Sequence, residues 1–266
     1  MNPNNPIGIF DSGLGGLTIL KAVRRRLPQE DLIYFGDTAN VPYGGKSAQA
    51  VTRLSLAIAH FLQEQNVKII IVACNTASAL ALEELKKQIS VPVIGVIEPG
   101  ALKAVSSTQN GRIAVIGTEG TVQSDSYRQQ ILKLDKKAKV TQTACPLFVP
   151  LVEEGWANKP LTELAARDYL TPVLKSRADT LILGCTHYPV LKRVIARVLG
   201  KNVKLVDSAE TLAEYIKMAL QKTGQAKTTG TGKLKVYASD RPERFKRLAK
   251  NILRSDLDQV TLKKLD

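Results

Sequence analysis

Short apolar runs alternate with amphipathic segments along this chain. The apolar runs predict strands at Ile7–Phe10, Leu32–Phe35, Ile69–Ala73, Val93–Val96, Ile113–Ile116, Val140–Ala144, Thr180–Leu183, Val203–Val206 and Leu234–Ala238. Several are unbroken Val/Ile/Leu stretches. That predicts strands covered on both faces, and so parallel sheets flanked by helices. Helical spacing falls between them, at Leu17–Leu27, Ser47–Gln65, Ala77–Gln88, Leu161–Lys175, Tyr188–Leu199 and Pro242–Ile252, the last preceded by the N-cap residues Ser239 and Asp240. The polar, Gly/Thr-rich stretch Lys222–Lys233 reads as a surface loop.

The pattern contains a weak repeat. "IGIFDSGLGG" (Ile7–Gly16) resembles "IAVIGTEGTV" (Ile113–Val122), pairing Ser12 with Thr118 at an offset of 106 residues. Cys74 in "VACNTASA" pairs with Cys185 in "LGCTHYPV" at an offset of 111, in the same order along the chain. Any α/β chain repeats strand and polar turn, but the ordered pairs favour two similar lobes, each a mainly parallel sheet flanked by helices. Ligands of such sheets bind beyond the carboxyl ends of the strands. Asp11, Ser12, Cys74, Asn75, Thr118, Cys185 and Thr186 all follow predicted strand ends, so two facing lobes would bring them to one cleft with a thiol on each side.

The composition is consistent with that picture. At 266 residues and 44% hydrophobic content, the chain can build the core of one or two domains. The start, MNPNNPIGIF, lacks the charge and apolar stretch of a signal peptide, and no apolar run reaches the roughly 18 residues of a membrane span. The expected compartment is the cytoplasm, where three cysteines stay reduced and form no disulfide framework. The net charge of +14 makes a basic nucleic-acid-binding protein the alternative from another class. Lys and Arg are scattered, acids interrupt the most basic region, Lys233–Lys264, and no zinc-finger or RNA-binding signature is present, so dedicated nucleic-acid binding is not indicated. A homodimer is left open.

Two facing thiols admit several chemistries. A disulfide requires bonded sulfurs and suits the compartment poorly. A metal site could draw on Cys74, Cys185 and His187, though no standard zinc spacing is present. A Cys185–His187 nucleophile would leave Cys74 without a purpose. The fourth chemistry uses both thiols: a thiolate takes a proton from one face of a carbon and a thiol returns one to the other, inverting it. Each sulfur would then lie about 3–3.5 Å from the carbon, and the two roughly 6–7 Å apart. A free thiol titrates near 8.5, so neighbours that tune the thiols matter; Asp11 and His187 are the candidates. Asn75, Thr76, Thr186 and backbone N–H groups could bind carboxylates and developing charge. Asp11 could equally cap its own turn. Cys145 before Pro146 reads as a packed thiol, His60 as a helix residue, Asp37 and Tyr43 as residues that could shape a loop as much as touch substrate, and Pro150 and Trp156 as local packing around Glu153.

At these residues the chain resembles the glutamate racemases of the cofactor-independent aspartate/glutamate racemase family. The likeness runs through "FDSGLGGLT", "GDTANVPYG", "ACNTASA", "VIGVIEPG", "GTEGTVQSDSY", "CPLFVPLVEEG" and "LGCTHYP", and thins after about Gln221. It implies two α/β lobes with the active site in the cleft, the first lobe being 1–97 with 209–266 and the second 98–208. It also implies glutamate as a small-molecule substrate, no metal, no pyridoxal phosphate or other cofactor, and a product, D-glutamate, used for peptidoglycan. In catalysis, Cys74 would deprotonate D-glutamate and Cys185 L-glutamate, with Asp11, His187 and Glu153 assisting. Asp11, Ser12, Asn75, Thr76, Thr186, His187 and the backbone at Tyr43 and Gly44 would hold the substrate, with Thr118 and Thr121 contributing from the second lobe. An aspartate racemase of the same architecture is the nearest alternative.

Overall fold

The computed structural model describes residues 2–265. The first half lays down β1 (Ile7–Asp11), α1 (Leu17–Arg26), β2 (Leu32–Gly36), α2 (Ala48–Glu64), β3 (Ile69–Val72), α3 (Asn75–Leu80), α4 (Leu82–Gln88) and β4 (Val93–Gly95). The middle adds α5 (Ile97–Val105), β5 (Arg112–Gly117), α6 (Glu119–Gln123), α7 (Ser126–Leu134), β6 (Lys139–Ala144), α8 (Phe148–Glu153), α9 (Pro160–Ser176) and β7 (Thr180–Gly184). A 3-10 turn at Tyr188–Leu191 leads into α10 (Lys192–Leu199) and β8 (Lys204–Asp207). The chain closes with α11 (Ser208–Lys222), β9 (Leu234–Ala238), α12 (Pro242–Leu253) and β10 (Thr261–Leu262).

Among the described residues, ten strands form two all-parallel sheets, ordered β10-β9-β2-β1-β3-β4 and β6-β5-β7-β8. The cores β2-β1-β3-β4 and β6-β5-β7-β8 have the same order, so the repeat seen in the sequence is a repeat of topology. Ser12 and Thr118 follow equivalent central strands, as do Cys74 and Cys185. Strands β1, β2, β3 and β7 are buried along their whole length, as their unbroken apolar runs predict. Edge strand β6 (KVTQTA) is only partly covered, which suits its mixed sequence.

The sheets share apolar packing. One core cluster runs from Ile7, Leu17 and Ile71 of the first sheet's side through Ala101 and Leu212 to Ile113, Tyr127 and Ile182 of the second. Helices α1, α5 and α11 carry much of it, and this common core fixes how the two sets of strand ends face each other.

Four expectations change. The helix predicted over Ala77–Gln88 starts earlier, at Asn75, and divides at Ala81 into α3 and α4. The helix predicted from Tyr188 opens as a 3-10 turn containing Pro189, which has no N–H to donate. Helices α5 to α8 and α11 lie where no helix was predicted. In α5, Pro99 and Gly100 disguise the helical spacing; in α11, Asp207 caps the start and Leu212, Ala213, Ile216 and Leu220 form the buried stripe. The stretch after α11 is anchored: Lys68 Nζ donates to Gln225 O at 2.8 Å, and Lys227 N donates to Glu30 Oε1 at 2.8 Å.

Candidate active site between the two sheets

Strand ends build the site. Cys74 leaves β3 in extended conformation and caps α3, its Sγ accepting from Ala77 N at 3.5 Å. Thr118 repeats this after β5, with Oγ1 accepting from Thr121 N at 3.2 Å. A chain leaving a buried parallel strand for a helix needs a capping acceptor at this point; sulfur serves in one lobe and a hydroxyl in the other.

Cys74 Sγ lies 3.7 Å from Ser12 Oγ, and the neighbouring Asp11 accepts from Gly13 N at 3.0 Å through Oδ2. Asp11 therefore does cap its turn, but its other oxygen accepts from Thr186 Oγ1 at 3.4 Å, across the lobes. Gly15 is required there, because a Cβ would stand 2.2 Å from Thr186 Oγ1 and 2.6 Å from His187 Nδ1. On the second lobe Cys185 Sγ is 3.8 Å from His187 Nδ1, and His187 Nε2 is 3.2 Å from Glu153 Oε1 at the end of α8. The acid named from resemblance alone thus sits behind the histidine and not against the sulfur.

Threonines close the other flank. Thr76 Oγ1 is 2.9 Å from Thr118 Oγ1, which is 3.0 Å from Thr121 Oγ1. Gly120 N donates to Gly44 O at 3.0 Å, so the loop carrying Tyr43 and Gly44 rests on the second lobe. The Tyr43 hydroxyl is directed away from this contact: it donates to Asp37 Oδ2 at 2.6 Å, and Ser239 Oγ donates to Asp37 Oδ1 at 2.7 Å. Asp37 and Tyr43 thus tie the loop together.

The two thiols have different neighbours. Burial pushes Cys74 up to about 12, helped by the charge of Asp11 and, less, of Cys185, against hydrogen bonds from Ala77 and Ser12. Burial also raises Asp11, partly offset by His187 and by the Gly16 and Gly13 amides. Burial alone would lower His187; its bonds to Cys185 and Glu153 outweigh that and lift it to about 10. The charge of Asp11 beside Cys74 disfavours negative charge on that sulfur, and the His187 imidazole stands beside Cys185.

All three cysteines are free, and Cys145 is fully buried behind the end of β6. Among the described residues, no group of three or more His, Cys, Asp or Glu side chains could hold a metal ion. His60 is exposed on α2, and Trp156, expected to pack, is 44% exposed. A cavity of about 170 Å³ lined by Gly13, Val41, Glu153, Arg244 and Phe245 opens beside the site. Sequence reasoning missed Thr18, whose Oγ1 donates to Thr186 O at 3.3 Å, and Tyr34, whose hydroxyl holds Gly13 O at 2.8 Å. Thr18 lay within a quoted motif but carried no separable signal; Tyr34 looked like any buried strand residue.

Comparison with known proteins agrees with the geometry. A family profile described as Asp/Glu/Hydantoin racemase matches residues 17–216. The chain is 51% identical over 259 residues to a glutamate racemase of Geobacter metallireducens, covering 97% of this chain and 96% of that one. Its structure superposes on glutamate racemase RacE1 of Bacillus anthracis with a TM-score of 0.95 at 37% identity, covering 100% and 98% of the two chains. The glutamate racemase of Francisella tularensis, solved with D-glutamate, gives 0.93 at 37% identity with 99% of each chain covered. Among the described residues no helix is long and apolar enough to cross a membrane.

Proposed function

The chain belongs to the Asp/Glu/hydantoin racemase family and is an amino-acid racemase, and from that premise we propose that it interconverts L- and D-glutamate by proton transfer between Cα and two thiols. The single observation that carries the mechanism is the pairing of Cys74 with Asp11 and Ser12 on one strand end, and of Cys185 with His187 and Glu153 on the other, joined by the Thr186–Asp11 contact.

In this reading Cys185, as thiolate beside the His187 imidazolium, takes the proton from Cα of L-glutamate. Cys74, held neutral by burial and by Asp11, donates its proton to the opposite face. The product is D-glutamate with Cys74 as thiolate and Cys185 as thiol, and the reverse reaction starts from that state. Glu153 orients and supports the charge of His187. Asn75, Thr76, Thr186, Ser12 and the Gly44 backbone hold the carboxylates and the amino group, with Thr118 and Thr121 shaping that pocket. The lobes are 1–97 with 209–266 and 98–208, a division supported by the sheet membership of β9 and β10. The reaction needs no cofactor because both proton carriers are side chains. D-glutamate would be supplied in the cytoplasm for peptidoglycan, a role resting on family likeness.

The test incubates purified protein with L-glutamate in D₂O without added cofactor and follows optical rotation and deuterium at Cα. Inversion with solvent deuterium is expected. No inversion, or faster inversion of aspartate in a parallel assay, would overturn the assignment.

A further inference from the structure

Asn75 is the residue after Cys74 and is 2% exposed. Its Oδ1 accepts a hydrogen bond at 2.8 Å from the hydroxyl of Tyr127, which lies on α7 of the other lobe and is fully buried. Its Nδ2 is buried and has no partner within the protein. Buried donors are almost always paired, so an orphan amide next to a reactive thiol points to a ligand atom that completes it. A primary amide has one acceptor oxygen and two N–H donors. With the oxygen committed to Tyr127, what remains for a ligand is purely donor, which is what a carboxylate requires.

The ring of Tyr127 has a second role in the packing. A Cβ at Gly184, the residue before Cys185, would stand 3.2 Å from Tyr127 Cε2, and one at Gly100 would stand 3.3 Å from the ring. Tyr127 thus bonds to the turn of one thiol through its hydroxyl while its ring edge occupies the space beside the strand end of the other.

We propose that Tyr127 is a positioning residue of the reaction: it fixes the Asn75 amide with its N–H groups kept for a substrate carboxylate, while its ring sets the spacing between the Cys74 and Cys185 turns. Without the hydroxyl the amide can rotate and present its oxygen to the carboxylate, which repels it. The inference rests on the reading of the site given above. It is separable from that reading because it concerns how Asn75 is oriented, not whether Asn75 binds.

The experiment is a double-mutant cycle on kcat and KM with both enantiomers, using the full chain and its Tyr127→Phe, Asn75→Ala and combined variants. Tyr127→Phe keeps the ring and is expected to raise KM about tenfold, the size of one lost, well-aligned carboxylate hydrogen bond, with kcat changed far less. Because enantiomers are equally stable, kcat/KM must fall by the same factor in both directions. In the Asn75→Ala background, Tyr127→Phe is expected to have no further effect on KM. An equal effect in both backgrounds, or an unchanged KM in Tyr127→Phe, overturns the proposal. If Tyr127→Phe does not fold, the Asn75 side-chain amide signals of the unaltered protein decide, assigned by their loss in Asn75→Ala. A shift of one locked pair of protons on adding glutamate supports the proposal, and signals that do not move overturn it. An Asn75→Ala variant with unchanged KM would instead refute the role given to Asn75, and the proposal with it.

Discussion

Thr186 Oγ1 donates to Asp11 Oδ1 over 3.4 Å, joining the turn that holds Cys185 to the carboxylate whose charge acts on Cys74. Asp11 is thus bonded to one half of the site and electrostatically coupled to the other. Its charge opposes ionisation of Cys74. Asp11→Asn should therefore lower the titration of Cys74 from about 12. Thiolate absorbance against pH, with a Cys74→Ala titration subtracted, measures this; an unmoved or raised titration would remove Asp11 from the account.

Removing either sulfur should leave a one-sided enzyme. Cys74→Ala and Cys185→Ala should each lose racemisation by at least about a thousandfold, since general acid or base catalysis is lost on one face. Any residual deuterium uptake at Cα should be confined to L-glutamate in Cys74→Ala and to D-glutamate in Cys185→Ala. The reversed pattern would exchange the assignments of the two thiols; uptake from both enantiomers in one variant would contradict opposed faces.

His187, lifted to about 10, should remain charged across neutral pH. A group whose folded value is raised adds stability in full below its unfolded value of roughly 6.5 and loses it as pH rises through the folded value. The stability gap between the unaltered protein and His187→Gln should therefore be larger at about pH 6 than at about pH 10, read from denaturant midpoints. Glu153→Gln removes one of the supports of that charge and should move the imidazole titration downward by NMR.

Gly15 stands where the lobes touch. Gly15→Ala places a Cβ 2.2 Å from Thr186 Oγ1, so the turns carrying Asp11 and His187 must separate. A loss of about 1–3 kcal/mol is expected from the overpacking, with a fall in kcat/KM of about a hundredfold from misplaced groups. Gly45→Ala, which meets nothing within 4 Å, is the control and should retain activity. Equal activity in the two variants would show that the contact does not govern catalysis.

At the opposite end of the first sheet, the ammonium of Lys68 is fully buried against Glu30 at 2.6 Å and also donates to Pro3 O at 2.6 Å. Lys68→Met leaves a buried carboxylate without its counter-charge, with only the Lys227 amide still donating to it, and should destabilise by about 3–5 kcal/mol. A Glu30→Gln/Lys68→Met pair should recover part of that. The KM of folded protein should not change, because the clasp lies at the strand starts; a changed KM would show that the clasp reaches the site.

The sequence alone determined β1 to β9, because a four-residue run such as Ile69–Val72 is stabilised by burial between helices, but not the two-residue edge strand β10, which is exposed and too short to carry a pattern. It also determined the pairing of Cys74 with Cys185, since a topological repeat leaves equivalent residues at equivalent strand ends. Helices α5 and α11 were hidden: Pro and Gly blur the spacing of one, and the other can be seen only once α1 provides a partner. Only the tertiary structure decided which polar groups meet. That Glu153 backs His187, that Thr186 holds Asp11, and that Tyr127 takes the oxygen of Asn75 are contacts between residues 34, 175 and 52 positions apart. Local chemistry carries no trace of such partners, because they are fixed by the angle at which two sheets pack on a shared core.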